Sequence, residues 1–185
     1  MKRPTGWPAN PQVMATVRRK VSDGHPDLVQ DADGDTWLTP RYVLGQLGHF
    51  DLDPCAAEQN PSWVGADRIF TVADDGLRRG WFGRVFMNPP FSNTEPWLRR
   101  HAQHGNGISL VPASVDSRVW RQVVWKQALA ILLLHGRMRF CNPDGSNTTG
   151  RPLRSVALIA WHRDDVLMLE ESTLAGVLLE IWQQR

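Results

Sequence analysis

The stretch "VFMNPPFSN" (residues 85–93) contains a strand pattern that ends abruptly. Three apolar residues predict a buried strand, and Asn88 then begins a run of two prolines and an aromatic residue. Proline has no N–H to donate to a sheet, so sheet interiors exclude it. The stretch therefore predicts a strand whose carboxyl end presents an amide, a rigid backbone and Phe91.

Strand and helix patterns alternate on both sides of this stretch. Apolar and alternating runs predict strands at residues 50–56, 68–72, 84–87, 107–113, 129–135 and 155–161. Helical periodicity and cap residues predict helices at 39–48, 94–104, 116–127 and 172–185. The alternation predicts an α/β fold with a mostly parallel sheet and helices on both faces. In such a sheet, ligands bind at the carboxyl ends of the strands.

Length and local order divide the chain into two parts. Its 185 residues suffice for one domain with a full core. Residues 1–36 carry scattered Pro, Gly and Asp with little periodicity, and we interpret them as a loosely ordered arm. Residues 37–185 form the predicted domain. Its longest polar insertion, "CNPDGSNTTGRPLR" (141–154), predicts an exposed loop between two strands.

Composition excludes several classes of protein. The net charge of +2 permits only local basic surfaces, and there is no apolar run of the roughly 18 residues that a membrane span needs. The basic start has no apolar segment after it, unlike a secretory signal. Cys55 and Cys141 indicate buried thiols in a reducing cytoplasm. His101 and His104 have no third ligand nearby, so we interpret them as surface residues and predict no metal site.

The chemistry of Asn88 and Pro89 suits an exocyclic amino group. The Asn88 side chain has an oxygen that accepts hydrogen bonds, and the Pro89 carbonyl is an acceptor with no competing N–H on the same residue. Two acceptors that hold both amino hydrogens direct the nitrogen lone pair outward, toward an electrophile. Phe91 offers a flat face for the attached heterocycle. The alternative is a simple turn, but the Asn-Pro turns at 59–63 and 141–147 follow no apolar strand.

The run from Asn88 to Phe91 resembles the catalytic motif of S-adenosylmethionine-dependent methyltransferases that act on planar amino or amide nitrogens. From Trp37 to Trp161 the chain resembles the phage-type (Dam-like) DNA N6-adenine methyltransferases, through "WLTPRYVLGQL", "FDLDPCAAEQN", "FTVADDGL", "GRVFMNPPFSNTEPWL", "LVPASVDSRVW" and "GRMRF". The resemblance implies a Rossmann-like methyltransferase fold, S-adenosylmethionine as cofactor and methyl transfer to N6 of adenine in DNA. The adenine would flip out of the duplex into a site formed by Asn88, Pro89, Pro90 and Phe91.

The resemblance also implies that "FDLDPCA" (50–56) is the cofactor turn. Asp53 would hold the ammonium group of the cofactor. The backbone beneath the cofactor would belong to Pro54, Cys55 and Ala56. The turn lacks the glycines that are common in the wider superfamily, and this departure favours one alternative, a non-catalytic nucleic-acid-binding domain of the same fold.

Two other segments complete the implied cofactor site. Asp75, slightly preferred over its neighbour Asp74, would accept a hydrogen bond from the adenine of the cofactor. Thr39 and Pro40 would lie near the carboxylate of the cofactor, at the predicted start of the first helix, where Thr39 is the expected N-cap. A solvated Asp-Asp-Gly turn and an ordinary helix start are the respective alternatives.

Partners follow from the same resemblance. Basic residues near the polar insertion are candidates for DNA contact: Arg137, Arg139, Arg151 and Arg154. The same four-residue motif also serves methyltransferases of RNA bases or protein glutamine amides, which remain an alternative. We expect a phage- or prophage-encoded protein in the cytoplasm of a bacterial host. A homodimer is one way for so small an enzyme to cover its site, and the sequence leaves the oligomeric state open.

Overall fold

The computed structural model of the chain describes residues 14–20, 35–148 and 155–182. Within these ranges one sheet contains β1 (Met14–Lys20), β2 (Leu52–Asp53), β3 (Arg68–Ile69), β4 (Val85–Met87), β5 (Gly107–Pro112), β6 (Ala130–Leu134), β7 (Val156–Ala160) and β8 (Gly176–Trp182). The helices are α1 (Arg41–Leu44), α2 (Thr94–His104), α3 (Trp125–Gln127), which continues a π-helical turn (Trp120–Val124), and α4 (Arg163–Glu171). Short 3-10 turns occupy Val72–Asp74 and Phe91–Asn93. No helix in the described part of the chain is long and apolar enough to cross a membrane.

The sheet is mixed, and its strands lie in the order β1-β8-β6-β7-β5-β4-β2-β3. Strands β3, β2, β4 and β5 pair in parallel, whereas the four pairings from β5 across to β1 are antiparallel. The prediction of a mostly parallel sheet is therefore wrong, although the α/β class is confirmed. The apolar runs that form β6 and β7 indicate only that both faces of each strand are buried. Burial on both faces does not determine strand direction.

The predicted helix at 172–185 is wrong, because Gly176–Trp182 forms β8 between β6 and β1. The apolar residues of this segment match the helical period, but they also form the short continuous run that a central strand buries. Leu178 and Ile181 are buried on opposite faces of the sheet. Pairing with β6 also satisfies the backbone hydrogen bonds of both strands, and this long-range gain overrides helical propensity.

Two elements lie where the sequence predicted none. β1 falls within the arm 1–36, and α4 follows β7 almost directly. α4 begins with a capping box, in which the Asp165 carboxylate accepts from the His162 N–H at 3.2 Å and the His162 ring accepts from the Asp164 N–H at 3.3 Å. The acidic pair before an apolar run was the available signal for α4. The domain boundary at residue 36 stays a prediction.

Helices cover both faces of the sheet, as predicted. β4 shows the alternation, because Phe86 packs against Phe50 on the face under α1 and α4, with ring centroids 5.2 Å apart. Val85 and Met87 point to the opposite face, toward α2 and the π-helical turn. All three β4 side chains are fully buried, so the strand end is held rigidly from both sides.

The chain connections place a crevice between Asp53 and Asn88. From β2 the chain runs to β3 on one side and then crosses to β4 on the other side of β2. The loops that leave the carboxyl ends of β2 and β4 therefore diverge, as at the topological switch point of an α/β sheet. Asp53 ends β2 and Asn88 follows β4 directly.

His101 is fully buried, so its interpretation as a surface residue is wrong. Its Nε2 lies 3.1 Å from the carbonyl oxygen of Asn106, and its Nδ1 lies 2.7 Å from the Ser109 hydroxyl. The carbonyl can only accept, so Nε2 carries the proton and Nδ1 accepts from Ser109. Trp161 Nε1–H donates to the same hydroxyl oxygen at 2.8 Å. Burial lowers the pKa of His101 to about 3, and the network holds the ring neutral.

Acid is expected to destabilise the protein through His101. Its pKa is about 3 in the folded chain and 6.5 in the unfolded chain, so the unfolded state takes up a proton first as the pH falls. The contribution is fully present above about pH 6.5 and is lost as the pH falls toward the folded pKa. Urea unfolding at about pH 7 and about pH 5 is expected to show a loss of about 2 kcal/mol from this group.

His101→Gln keeps one donor and one acceptor but does not titrate, so we expect this variant to lack that part of the pH dependence. Other titrating groups contribute equally to the wild type and to His101→Gln. The difference between their pH dependences of unfolding therefore reports His101 alone. His135→Gln, at an exposed position, is the matched control and should keep the wild-type slope. Equal slopes for the wild type and His101→Gln would show that the buried ring is not the acid-sensitive group.

Candidate active site

A cavity of about 500 Å³ opens outside the carboxyl ends of β2 and β4. Its walls come from four parts of the chain: residues 35–39, the loop after β2, the 3-10 turn after β3, and the segment that follows β4. Pro143, in the predicted polar loop, adds to the rim. The cavity therefore occupies the switch point of the sheet, where the connections leave a crevice.

Most of the predicted site residues line this single cavity. Those that line it are Thr39, Asp53, Pro54, Cys55, Ala56, Asp75, Asn88 and Pro90. Pro40 and Pro89 are buried, and neither of them nor Phe91 is part of the lining. The structure thus brings together residues that are up to about fifty positions apart in sequence. The role of each residue stays a prediction.

The Asn88 side chain has a fixed orientation. Its Nδ2–H donates to the carbonyl oxygen of Trp37 at 2.5 Å. Its Oδ1 is buried and has no hydrogen-bond partner among the described residues. A buried acceptor without a partner is costly, and most such atoms are satisfied by water or a ligand. Asn88 thus lines the cavity, its nitrogen is held by the Trp37 carbonyl, and its oxygen is an acceptor that no described residue uses.

Asp53 is a buried carboxylate that lacks a cation within the described ranges. Its side chain is 4% exposed and accepts from the Cys55 N–H at 3.1 Å. Burial raises the pKa of Asp53 to about 7, and the hydrogen bonds from Cys55 offset only part of that rise. An ionised carboxylate in this position gains most from a positively charged group inside the cavity. The carboxylate thus fits an ammonium group.

Thr39 faces the cavity and does not cap α1. The N-cap of α1 is Pro40, without a side-chain cap bond, so the predicted Thr39 cap is wrong by one residue. The carbonyl of Thr39 accepts from Trp63 Nε1–H at 2.7 Å, which directs the chain past the cavity. The hydroxyl oxygen of Thr39 is buried with no partner among the described residues. It is therefore a second unused polar atom in the same wall.

Asp74 and Asp75 have different environments. The Asp74 carboxylate accepts from the Thr71 N–H at 2.9 Å and lies 3.2 Å from the Thr71 hydroxyl, closing the 3-10 turn. These bonds lower the pKa of Asp74. Asp75 has a left-handed backbone (φ 52°), lines the cavity, and its exposed carboxylate lies 3.2 Å from Arg78. The local use of Asp74 favours Asp75 as the residue that meets a ligand.

Phe91 packs into a small aromatic cluster. Its ring lies edge-on to Phe140 with centroids 5.6 Å apart, and Phe140 lies 6.5 Å from Trp37. Trp37 lines the cavity, whereas Phe91 supports the cluster from behind. Sequence reasoning assigned no role to Trp37, although it belongs to the quoted "WLTPRYVLGQL" segment. Trp37 is thus an aromatic residue of the cavity lining, as are Trp63 and Trp97, and its carbonyl also holds Asn88.

The predicted DNA-contact residues are only partly described. Arg137 is exposed and Arg139 is half-buried, on the segment that leads into the polar loop, while Arg151 and Arg154 lie outside the described residues. The loop itself approaches the cavity, because Cys141 and Leu38 exchange backbone hydrogen bonds of 2.9 and 3.0 Å. Loop residues therefore meet the wall that holds Asn88.

One cluster of three ligand-type side chains occurs among the described residues. It consists of His49, Asp51 and Asp67, whose ligand atoms lie within 4.8 Å of one another. His49 pairs with Asp67 at 3.2 Å, and Asp51 accepts from the Arg84 N–H at 2.5 Å. None of the three lines the cavity. The cluster is accounted for by these local bonds.

Comparison with known proteins assigns the chain to a family. A family model described as DNA N-6-adenine-methyltransferase (Dam) matches residues 27–172. A protein of Escherichia phage T1 named DNA N-6-adenine-methyltransferase is 27% identical over 129 residues, which cover 60% of this chain and 51% of the phage protein. The chain thus spans about half the length of that relative. Because the family model covers most of the chain, including every described segment of the cavity wall, the chain belongs to the DNA N-6-adenine-methyltransferase (Dam) family.

Proposed function

We propose that this protein transfers a methyl group from S-adenosylmethionine to N6 of adenine in DNA. The observation that carries the proposal is the buried, unpartnered Oδ1 of Asn88, a residue that lines the cavity at the switch point of the sheet. Membership of the family and the printed name of the phage T1 relative support the same reaction. The parallel strands β3, β2, β4 and β5 support a Rossmann-like methyltransferase arrangement for that half of the sheet.

The cavity residues fit S-adenosylmethionine. Asp53 would hold its ammonium group, since the carboxylate is buried without a cation among the described residues. Thr39 would give its unpartnered hydroxyl to a polar group of the cofactor, and Asp75 would accept from its adenine. The cavity of about 500 Å³ is within the range of small-molecule sites. When bound, the cofactor supplies a methyl group on a positively charged sulfur, which is an electrophile.

Asn88 and Pro89 would prepare the adenine amino group. The Asn88 Oδ1 would accept one N6 hydrogen and the Pro89 carbonyl the other, so the nitrogen lone pair is directed away from both acceptors. Because the Trp37 carbonyl already holds Nδ2, the Asn88 oxygen does not have to reorient when a substrate arrives. The N6–CH3 bond would form as the sulfur–methyl bond breaks, and the extra N6 proton would then leave to water. No strong base is required for this order of events, so the residues act by positioning and electrostatics.

DNA would reach the cavity by base flipping, since N6 of a stacked adenine is inaccessible to a recessed amide. Phe91 remains our candidate to support the flipped base, together with Trp37 on the cavity wall. Arg137 and Arg139 remain candidates for phosphate contact, as do Arg151 and Arg154. Arg41 is a further exposed cation at this wall, stacked 4.0 Å above the Trp63 ring. The phage origin of the T1 relative supports our expectation that the chain acts in a bacterial host cell.

The reaction is tested by incubating the protein with isotope-labelled S-adenosylmethionine and unmethylated genomic DNA. Nuclease digestion and mass spectrometry of the nucleosides are expected to show labelled N6-methyladenine. Parallel incubations with total RNA and with a protein extract test the alternative substrates. Label in RNA or protein alone would overturn the DNA assignment. Cofactor binding without any methylated product would favour a non-catalytic nucleic-acid-binding domain.

A further inference from the structure

The segment Asp35–Thr39, here called the strap, contacts both ends of the Asn88–Phe91 run. At one end, the Trp37 carbonyl accepts from Asn88 Nδ2–H at 2.5 Å. At the other end, both oxygens of the Asp35 carboxylate lie 3.1 Å from the Ser92 backbone nitrogen, which donates to them. The Ser92 hydroxyl also donates to Asp35. One short segment thus holds the candidate catalytic residues from both sides.

The Asp35 contact is directed at a point where the backbone has little other support. Ser92 lies inside the 3-10 turn Phe91–Asn93, and the first N–H groups of such a turn have no partner within it. In the same turn, the Asn93 N–H donates to the Pro90 carbonyl at 3.1 Å. The carboxylate satisfies the Ser92 N–H and places a negative charge at the start of the turn that leads into α2.

The strap has no regular secondary structure of its own, apart from a single bridge at Leu38. Its position depends on contacts with other loops, including Cys141 and Trp63. Asp35 also lines the cavity. Removal of the Asp35 carboxylate would therefore release the Pro90–Ser92 backbone, and it would leave in place Asp53, Thr39 and Asp75, the residues proposed to hold the cofactor.

We infer that Asp35 is a positioning residue for methyl transfer. Its hydrogen bonds fix Ser92, and through the backbone they keep the Asn88 and Pro89 acceptors in position. The inference rests on the proposed function, since it assigns Asp35 a part in the same site. Asp35 acts through Ser92 and the backbone, and it transfers no proton. A displacement of the acceptors weakens near-attack alignment, and a misplacement of about 1 Å can lower the rate by about 100-fold.

Asp35→Ala is expected to lower kcat by roughly 10- to 100-fold and to leave the Kd for S-adenosylmethionine within about two-fold. Asp35→Asn keeps one acceptor for the Ser92 N–H and should recover most of kcat. Ser92→Ala keeps the backbone N–H, so its effect should be smaller, and the double variant should be no slower than Asp35→Ala because both changes remove one contact. Asp67→Ala is the matched control and should behave as the wild type. Asp67 is an exposed aspartate just before the amino end of β3, and it does not line the cavity.

Hydrogen exchange gives a readout that does not need activity. The Ser92 amide is expected to exchange at least about ten-fold faster in Asp35→Ala than in the wild type, since it loses its acceptor. Unchanged exchange at Ser92, or a loss of cofactor affinity equal to the loss of kcat, would overturn the inference. If the wild type methylates nothing while Ser92 exchange still depends on Asp35, then the proposed function fails and the clamp stands as a property of the loop.

Discussion

Asn88→Ala is expected to abolish methyl transfer, with a loss of at least about 10³-fold in kcat, while S-adenosylmethionine still binds within about two-fold of the wild-type Kd. The substitution removes the Oδ1 acceptor that has no other partner in the described structure. It leaves Asp53 and Thr39 in place, so the proposed cofactor contacts persist. Initial rates on unmethylated DNA and calorimetric titration with the cofactor measure the two effects separately.

Two further variants make this test specific. Asn93→Ala changes the same residue type in the same loop, but its exposed side chain makes no cap bond, so activity should stay within about two-fold. Asn88→Asp keeps an acceptor but brings a carboxylate oxygen against the Trp37 carbonyl, where the amide N–H now donates. We expect this variant to lose about 10²-fold. Wild-type activity in Asn88→Ala would show that the Asn-Pro-Pro-Phe run is a structural turn without a catalytic role.

Local sequence signals predicted the two strand ends that form the candidate site. The burial of Val85, Phe86 and Met87, the strand end at Asn88 and the strand end at Asp53 each depend on a few neighbouring residues, and the structure places both ends on one cavity. The pattern worked there because proline and aspartate end strands for local reasons: proline lacks a donor, and aspartate favours turns. Local cap signals also predicted the start of α1 to within one residue, since the N-cap is Pro40 and not Thr39.

Long-range pairing was beyond the reach of those signals. β8 was predicted as a helix, because the choice between the two depends on β6, which lies about forty residues earlier in the chain. His101 was assigned to the surface because nothing local shows that Ser109 and Trp161 would bury it. The Asp35–Ser92 contact joins residues 57 positions apart, and no local pattern shows that these two residues meet. Such contacts are decided by packing, not by local pattern.

Asp53→Asn is expected to lose the cofactor and to gain stability. The folded pKa of Asp53 is about 7 against 3.8 in the unfolded chain, so the folded state binds the proton more tightly. The corresponding stability is fully present below about pH 4 and is lost as the pH rises through about 7. A neutral amide avoids the cost of burying a charge, so the variant should be more stable than the wild type at about pH 8, by on the order of 2 kcal/mol.

Asp53→Asn should weaken cofactor binding, although it stabilises the folded protein. An amide cannot neutralise an ammonium group, so the Kd for S-adenosylmethionine should rise by at least about 100-fold. Saturating cofactor should raise the melting temperature of the wild type and leave that of Asp53→Asn unchanged. Asp164→Asn, at an exposed aspartate on α4, should change neither quantity. A variant that is stabilised yet binds the cofactor normally would place the ammonium elsewhere, and one that loses the cofactor without gaining stability would show that Asp53 ionises normally in the fold.

If the affinity of the wild type for the cofactor increases with pH, the same Asp53 proton would explain both the stability effect and the binding effect. Binding an ammonium group favours the ionised carboxylate, so a buried Asp53 with a pKa of about 7 must release its proton as the cofactor binds. Affinity should therefore increase as the pH rises from about 6 to about 8, and titrations in two buffers of different ionisation enthalpy should report proton release. Asp53→Asn has no such proton to release. Such a result would indicate that the buried carboxylate, which makes the empty cavity less stable at neutral pH, provides the counter-charge for the proposed cofactor.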